Sequence, residues 1–179
     1  MKCKWVFKIK RNGIFHARLV ACGYSQIPGV DFTENYSPVI NDITFRVLLV
    51  ISMLNRHYKN VLVDVETAFL HGDLEEEIFM ECPEGMKAGR DECLRLNKTI
   101  YGLVQSARQF FKKLTEVLKK IGFEGGDADP CLLTRRKNNK VVHVALYVDD
   151  CLCCGDPEAI AEVIKLMKEH GFTVKVETK

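Results

Sequence analysis

Three aspartates stand in apolar sequence, where an ionised carboxylate needs a specific partner. Asp64 lies near the end of the apolar strand-like segment 61–65, and Asp149 and Asp150 interrupt the apolar stretch 141–154. Burying an unpaired carboxylate is costly, whereas carboxylates are the hard oxygen ligands that suit Mg²⁺. Converging carboxylates can hold two ions about 4 Å apart, which clamp the attacking and leaving oxygens of a phosphoryl displacement. The pattern therefore predicts metal-assisted phosphoryl chemistry, provided that Asp64 meets the other two acids.

The same residues also have interpretations that involve no catalytic role. Asp149 and Asp150 could form a plain exposed hairpin turn, because Asp is a common turn residue. Asp64 weakens that interpretation, because an acid inside a strand has no turn to explain it. His71 and His143 are more typical of surface or packing residues than of general bases, and phosphoryl transfer depends mainly on metals and positioning.

The elements that must position these acids follow from periodicity and turn residues. Strands are expected over residues 4–10, 14–21, 60–65, 78–82, 93–96, 132–135, 141–146 and 172–176. Helices are expected from Asn41 or Asp42 to about residue 56, over 105–121, and from Pro157 to about 170 with Asp156 as the cap. In the first helix one inward face is predicted, made of Ile43, Val47, Val50, Ile51 and Leu54. The order of elements is typical of an α+β fold, an antiparallel sheet with helices packed on one face.

Charge is distributed unevenly along the 179 residues, although the net charge is only +2. Residues 1–30 hold six Lys or Arg and no acid, residues 61–92 hold ten acids, and residues 108–120 turn basic again. Basic segments around an acidic centre suit a protein that grips phosphates beside a carboxylate metal site. Uneven solvated faces are the alternative.

Eight cysteines and the N-terminal sequence bear on the compartment. The chain has no apolar run near the roughly 20 residues of a membrane span and begins without the apolar core of a signal peptide, so we expect an intracellular protein with reduced thiols. Cys151 and Cys154 form a C-x-x-C, but residues three apart on a strand face opposite sides, which favours buried thiols over zinc.

Several ordered motifs give the chain a family resemblance. Tyr147-Val148-Asp149-Asp150 resembles the Tyr-x-Asp-Asp box of reverse transcriptases. Residues 63–72, 17–26 and 101–108 resemble motifs of the copia-type group of LTR retrotransposons, as do residues 128–132 and Gly85 in its Pro-Glu-Gly loop. The match runs in the right order from Trp5 to the end of the sequence. The chain is thus identified as similar to a copia-type reverse transcriptase.

The resemblance implies the fingers and palm of a right-hand polymerase. Residues 1–60 and 75–105 would be mainly fingers-like, and residues 61–74 and 106–179 mainly palm. A thumb and a ribonuclease H domain would be absent from this fragment of the Pol polyprotein. The thumb, ribonuclease H and integrase regions of the parent polyprotein would be partners of this fragment.

The resemblance also implies residue roles in RNA-directed DNA synthesis, in which a primer 3′-hydroxyl attacks a dNTP. Asp64 and Asp149 would bind two Mg²⁺ ions, with Mn²⁺ as a substitute, supported by Asp150 and by the backbone carbonyl of Val65. The remaining roles, with dNTP and primer–template as partners, would fall to these residues: Arg18 at the triphosphate, Phe69 as the gate against a 2′-hydroxyl, Gln105 at the nucleotide, and Tyr147 and Val148 at the nucleic acid.

The sequence departs from the family at some positions and leaves alternatives open. The family usually has Lys at the positions of His16 and Cys22, Pro at Ala107 and a Trp near Phe110, so charge near the triphosphate would be reduced. A weak or inactive fragment that binds nucleic acid or protein is the main alternative, and a two-metal nuclease or phosphatase is another. We expect no membrane association and a cytoplasmic location in a virus-like particle, with the nucleus as the alternative. The oligomeric state stays open.

Overall fold

The computed structural model describes residues 1–89 and 91–177, so Arg90, Thr178 and Lys179 lie outside the description. Within these residues the protein is a mixture of helices and antiparallel strands. The helices are α1 (Asp42–Leu54), α2 (Ser106–Lys120) and α3 (Pro157–Glu169). The strands are β1 (Cys3–Ile9), β2 (Phe15–Ala21), β3 (Lys59–Val65), β4 (Phe79–Glu81), β5 (Cys93–Arg95), β6 (Glu124–Gly125), β7 (Leu132–Lys137), β8 (Lys140–Tyr147), β9 (Asp150–Gly155) and β10 (Val174–Glu177). None of the helices in this part of the chain combines the length and apolar character needed to cross a membrane.

Local sequence explains where two of the helices begin. The Asn41 side chain accepts a hydrogen bond from the Ile43 N–H at 2.9 Å, which satisfies one of the unpaired donors at the start of α1. Pro157 opens α3, as predicted. Asp156 is the N-cap residue of α3, as predicted, although its carboxylate accepts a hydrogen bond from the Val141 N–H at 2.8 Å and not from the helix.

The chain divides into two compact units. The first comprises Met1–Tyr36 and Phe69–Phe110, and the second comprises Ser37–Ala68 and the chain from Phe111 onward. The division into fingers and palm stays a prediction.

The first unit is built on the β1–β2 ribbon and the short β4–β5 pair. The ribbon is antiparallel in continuous register, with Trp5 opposite Leu19 and Phe7 opposite Ala17. Its base packs into an apolar cluster formed by Ala21, Ile78, Met80 and Leu103.

The second unit is built on one six-stranded sheet in the order β10-β3-β9-β8-β7-β6, with every neighbouring pair antiparallel. The first residues of β9 therefore lie beside the last residues of β3. Directly opposed residues of an antiparallel pair project from the same face, so the register fixes which side chains meet.

The prediction that the helices pack on one face of the sheet is wrong for α1. Arg135 shares its face of the sheet with Val142 and pairs with Glu162 of α3 at 3.0 Å. Helix α1 covers part of the opposite face, where Ser52 hydrogen-bonds the Cys154 thiol. A cavity of about 350 Å³ lies under α1 on this face, between the Phe45 ring and Leu62.

The predicted inward face of α1 is also wrong for most of its members. Ile43 is 72% exposed, and Val47, Val50 and Leu54 are exposed as well, whereas Leu48 is buried. The helix is apolar on nearly all sides, so its periodicity does not single out one face.

Candidate active site

The strand pairing brings two of the three aspartates together. Asp64, near the end of β3, is the register partner of Asp150, the first residue of β9. Because opposed residues share a face, both carboxylates project from the side of the sheet that α1 partly covers. Both side chains are half-buried. Two residues far apart in the chain thus become neighbours, which is a condition of the predicted metal site.

Asp149 lies in the tight turn that joins β8 to β9. Tyr147 and Asp150 are paired, so the turn consists of Val148 and Asp149 alone. Val148 has a φ of 55°, a left-handed conformation that is costly for a β-branched residue. The Val65 N–H donates to the Asp149 carbonyl at 3.2 Å, which ties the turn to the end of β3.

Like charges crowd this end of the sheet. The pKa of Asp150 is raised, first because the carboxyl is partly buried and then because Asp149, Asp64 and Glu177 are negatively charged neighbours. On the other side of Asp64, its register partner in β10 is Lys175. The Lys175 ammonium pairs with Glu66, and this bond raises the lysine pKa, with Asp64 adding to the effect.

These residues have the donor chemistry of a magnesium site. Mg²⁺ usually takes one or two protein carboxylates and completes its octahedron with water and substrate phosphates. In the described part of the chain no three His, Cys, Asp or Glu side chains converge as a ready-made metal cage. The paired Asp64 and Asp150, with Asp149 beside them, supply clustered negative charge that a divalent ion would relieve, so the residues fit the ion.

The predicted nucleotide-binding residues lie in the first unit, and two of them share a neighbour. The Arg18 guanidinium carbon is 4.8 Å from the centroid of the Tyr101 ring. The Phe69 ring meets the same Tyr101 ring edge to face, with centroids 4.9 Å apart. Tyr101 was not predicted as a site residue, although it lies inside the motif segment 101–108.

Gln105 is placed differently from the other two. It is fully buried, and its amide accepts from Gln26 Nε2 at 3.0 Å and donates to the Asp31 carbonyl at 3.0 Å. The Gln26 amide oxygen in turn accepts from the Val104 N–H at 2.8 Å. A direct contact between Gln105 and a nucleotide would require an exchange of these partners, so this role stays a prediction.

The buried cysteines behave as packing residues. All eight are free thiols, and Cys151, Cys153 and Cys154 are buried. Burial raises the pKa of Cys153 to about 12, so its thiol stays protonated at neutral pH. The ring of His143 hydrogen-bonds Thr134 at 2.9 Å, in keeping with its expected packing role.

Comparison with known proteins identifies the class to which this fold and site belong. The chain matches the family described as reverse transcriptase (RNA-dependent DNA polymerase) over residues 1–178, and it belongs to that family. No solved structure matches it.

The relatives are Pol polyproteins of plant and yeast transposons. The chain is 39% identical to the retrovirus-related Pol polyprotein from transposon TNT 1-94 of Nicotiana tabacum, over 98% of this chain and 14% of that protein. It is 34% identical to the corresponding polyprotein from transposon RE2 of Arabidopsis thaliana, over 97% of this chain and 12% of that protein. The truncated transposon Ty1-A Gag-Pol polyprotein of Saccharomyces cerevisiae is 29% identical over 94% of this chain and 14% of its own length. These relatives confirm the copia-type resemblance, and the chain spans only about one seventh of their length.

Proposed function

We propose that this chain performs RNA-directed DNA polymerisation, in which the 3′-hydroxyl of a primer attacks the α-phosphate of a dNTP and pyrophosphate leaves. The observation that carries the proposal is the register pairing of Asp64 with Asp150 beside the turn that holds Asp149. Family membership supports the same reaction.

Asp64 and Asp149 would hold two Mg²⁺ ions, with Mn²⁺ as a substitute, and the Val65 carbonyl would add a backbone ligand. When bound, the ions would activate the attacking hydroxyl and neutralise charge on the leaving oxygen. Asp150 would raise the negative potential at the site without being a principal ligand. Its pKa is raised first by partial burial and then by the same crowding of charge.

The nucleotide would be bound by side chains of the first unit. Arg18 would donate to the triphosphate, because a guanidinium is suited to bidentate hydrogen bonds with phosphate oxygens. The Phe69 ring would lie under the sugar and exclude a 2′-hydroxyl, which favours dNTP. Gln105 would act at the nascent base pair, after release from its present partners.

The β1–β2 ribbon supports a nucleic-acid partner. On one face Phe7 and Phe15 are 75% and 83% exposed, and the register places the cations Lys8 and Arg18 on the other face. Exposed aromatic rings stack on bases while cations meet the backbone phosphates, the combination found in proteins that bind single strands. Tyr147, which is exposed, and Val148 would contact the primer–template at the acid turn.

The surrounding context is proposed from the relatives, which are polyproteins. Thumb, ribonuclease H and integrase regions of a parent polyprotein would be partners of this segment, and the cytoplasmic virus-like particle would be its location. A fragment that binds nucleic acid without extending a primer is the second candidate, favoured by the burial of Gln105.

Primer extension by the purified chain tests the proposal. Extension of a labelled primer on RNA and DNA templates is expected with Mg²⁺ and dNTP, and it is expected to stop when EDTA removes the metal. Asp149→Asn should reduce the rate by about 100-fold or more, the cost of removing a group that stabilises charge in the transition state.

A matched control is Asp127→Asn, which removes an exposed acid from the same unit and should leave the rate unchanged. Binding of primer–template without extension would support the second candidate instead. Breakdown of the nucleic acid without dNTP would indicate a nuclease and overturn the polymerase proposal.

A further inference from the structure

Tyr101 is in contact with Arg18, which is proposed to bind the triphosphate, and with Phe69, which is proposed to lie under the sugar. Its ring lies under the Arg18 guanidinium and beside the Phe69 ring. We propose that Tyr101 is a positioning residue that sets the discrimination between deoxyribonucleotides and ribonucleotides by fixing the Phe69 ring. This inference rests on the proposed polymerase function.

The backbone around Tyr101 is held by direct bonds to the end of β2. The Ala21 N–H donates to the Tyr101 carbonyl at 2.8 Å, and the Gly23 N–H donates to the Gly102 carbonyl at 3.1 Å. Gly102 has a φ of 91°, and a Cβ there would lie 2.1 Å from the Ala21 carbonyl oxygen. The approach is therefore possible only without a side chain at position 102. Tyr101 is fixed to the strand that also carries Arg18.

Phe69 is held from several sides. Besides Tyr101, the Phe110 ring lies edge to face with it, with centroids 6.4 Å apart. The Thr99 hydroxyl donates to the Phe69 carbonyl, which fixes the backbone below the ring. A ring that excludes one hydroxyl must be placed to within about 0.5 Å, and only packing of this kind achieves that. Phe110 is buried, so the Tyr101 contact is the more open of the two ring contacts.

Arg18 gains a fixed orientation from the same ring. The side chain is exposed, and without a neighbour it would sample many rotamers. Stacking a planar guanidinium on an aromatic face restricts the rotamers and leaves the N–H donors at its edge available for phosphate. Loss of the ring should therefore weaken triphosphate binding as well as sugar selection.

Measurements of nucleotide affinity distinguish a positioning role of Tyr101 from a role in packing alone. We would measure the dissociation constants of dGTP and GTP with Mg²⁺ by calorimetry for the wild type, Tyr101→Leu and Tyr101→Phe. In Tyr101→Leu the preference for dGTP over GTP should fall by about 2- to 10-fold, the range that loss of one aromatic contact produces. Tyr101→Phe keeps both ring contacts and should keep the preference.

A double-mutant cycle with Phe69→Val adds a second measurement. If Tyr101 acts through Phe69, Tyr101→Leu should change the preference little once Phe69 is already Val. Circular dichroism melts identify variants that do not fold, and Tyr101→Met takes the place of Tyr101→Leu in that case. A packing role alone would weaken dGTP and GTP equally in Tyr101→Leu, and that result would overturn the inference.

The two proposals fail in different ways. A wild-type chain that extends primers but binds dGTP and GTP equally would overturn the role of Tyr101 and leave the polymerase proposal standing. A wild-type chain that binds neither nucleotide and extends no primer would overturn both.

Discussion

Strand β8 is bounded by a two-residue turn at each end, and the two turns differ in their backbone chemistry. The turn before it, formed by Asn138 and Asn139, has φ values of 51° and 59°. This is the sign pattern of a type I′ hairpin turn, and Asn tolerates it well. The turn after it has Val148 at a φ of 55°, where a β-branched side chain stores about 1–3 kcal/mol of strain.

The two turns also differ in charge: opposite charges pair beside the Asn turn, whereas like charges meet at the acid turn. Beside the Asn turn, Lys137 lies 2.8 Å from Glu162 of α3, and Lys140 pairs with Glu158. Hydrogen bonds from Arg135 and then Lys137 lower the pKa of Glu162 to about 2. At the acid turn the pKa of Asp150 is raised, first because its carboxyl is partly buried and then because its neighbours carry the same charge.

The contrast separates local preference from function. Both turns close hairpins of the same sheet, so membership of the sheet alone does not explain why one is relaxed and the other strained. A strained turn with crowded like charges persists only where neighbouring structure over-determines it, here the pairing of β3, β8 and β9. The position of the strain therefore supports a functional role for the acid turn.

Giving the acid turn the residues of the relaxed turn should have the largest effect. The double variant Val148→Asn/Asp149→Asn should lose about 100-fold or more of the primer-extension rate, because the proposed metal ligand Asp149 is removed. Its free energy of unfolding should nevertheless rise by about 1 kcal/mol, because strain and charge repulsion are relieved. Extension assays and urea unfolding measure the two effects.

The matched control changes the other turn. Asn138→Gly/Asn139→Gly keeps residues that accept a positive φ and should leave the extension rate as it is. A double variant at the acid turn that is less stable than the wild type would contradict the contrast between the turns.

Moving the strain to the relaxed turn should have an intermediate effect. Asn138→Val places a β-branched residue at a φ of 51° and should lower the free energy of unfolding by about 1–2 kcal/mol. Urea unfolding would measure the change, with Asn138→Gly as the comparison. Equal stability of the Val and Gly variants would show that this turn adapts to a β-branched residue.

The smallest effect should be a difference in pH dependence. The folded-state pKa of Asp150 is raised, so its stabilising contribution is complete below about pH 4 and is lost as pH rises through the raised value. The folded-state pKa of Glu162 is lowered to about 2, so its contribution is present above pH 4.5 and is lost as pH falls towards 2. The two groups therefore give opposite slopes.

Urea unfolding between about pH 2 and 8 tests these signs. Asp150→Asn should remove the loss of stability that occurs as pH rises, so the variant should be more stable than the wild type at pH 7. Glu162→Gln should remove part of the loss of stability that occurs as pH falls from about 4.5 towards 2. The same slope in both variants would refute the assignment.

Much of the local structure could be predicted from the sequence. The start of α1 at Asn41 and the start of α3 at Pro157 both depend on a few neighbouring residues. The exposed face of α1 could not be predicted, because a helix that is apolar on nearly all sides gives no periodic signal. The side on which it covers the sheet depends on contacts such as Ser52 with Cys154, which no local pattern encodes.

The site divides in the same way. The sequence by itself determined the three acids and their order, because residue type is a local property. Only the tertiary structure decided that Asp64 stands opposite Asp150, and that Tyr101 lies between Arg18 and Phe69. Strand register and ring contacts join residues far apart in the chain, and they are fixed by hydrogen bonds and packing that exist only once the chain has folded.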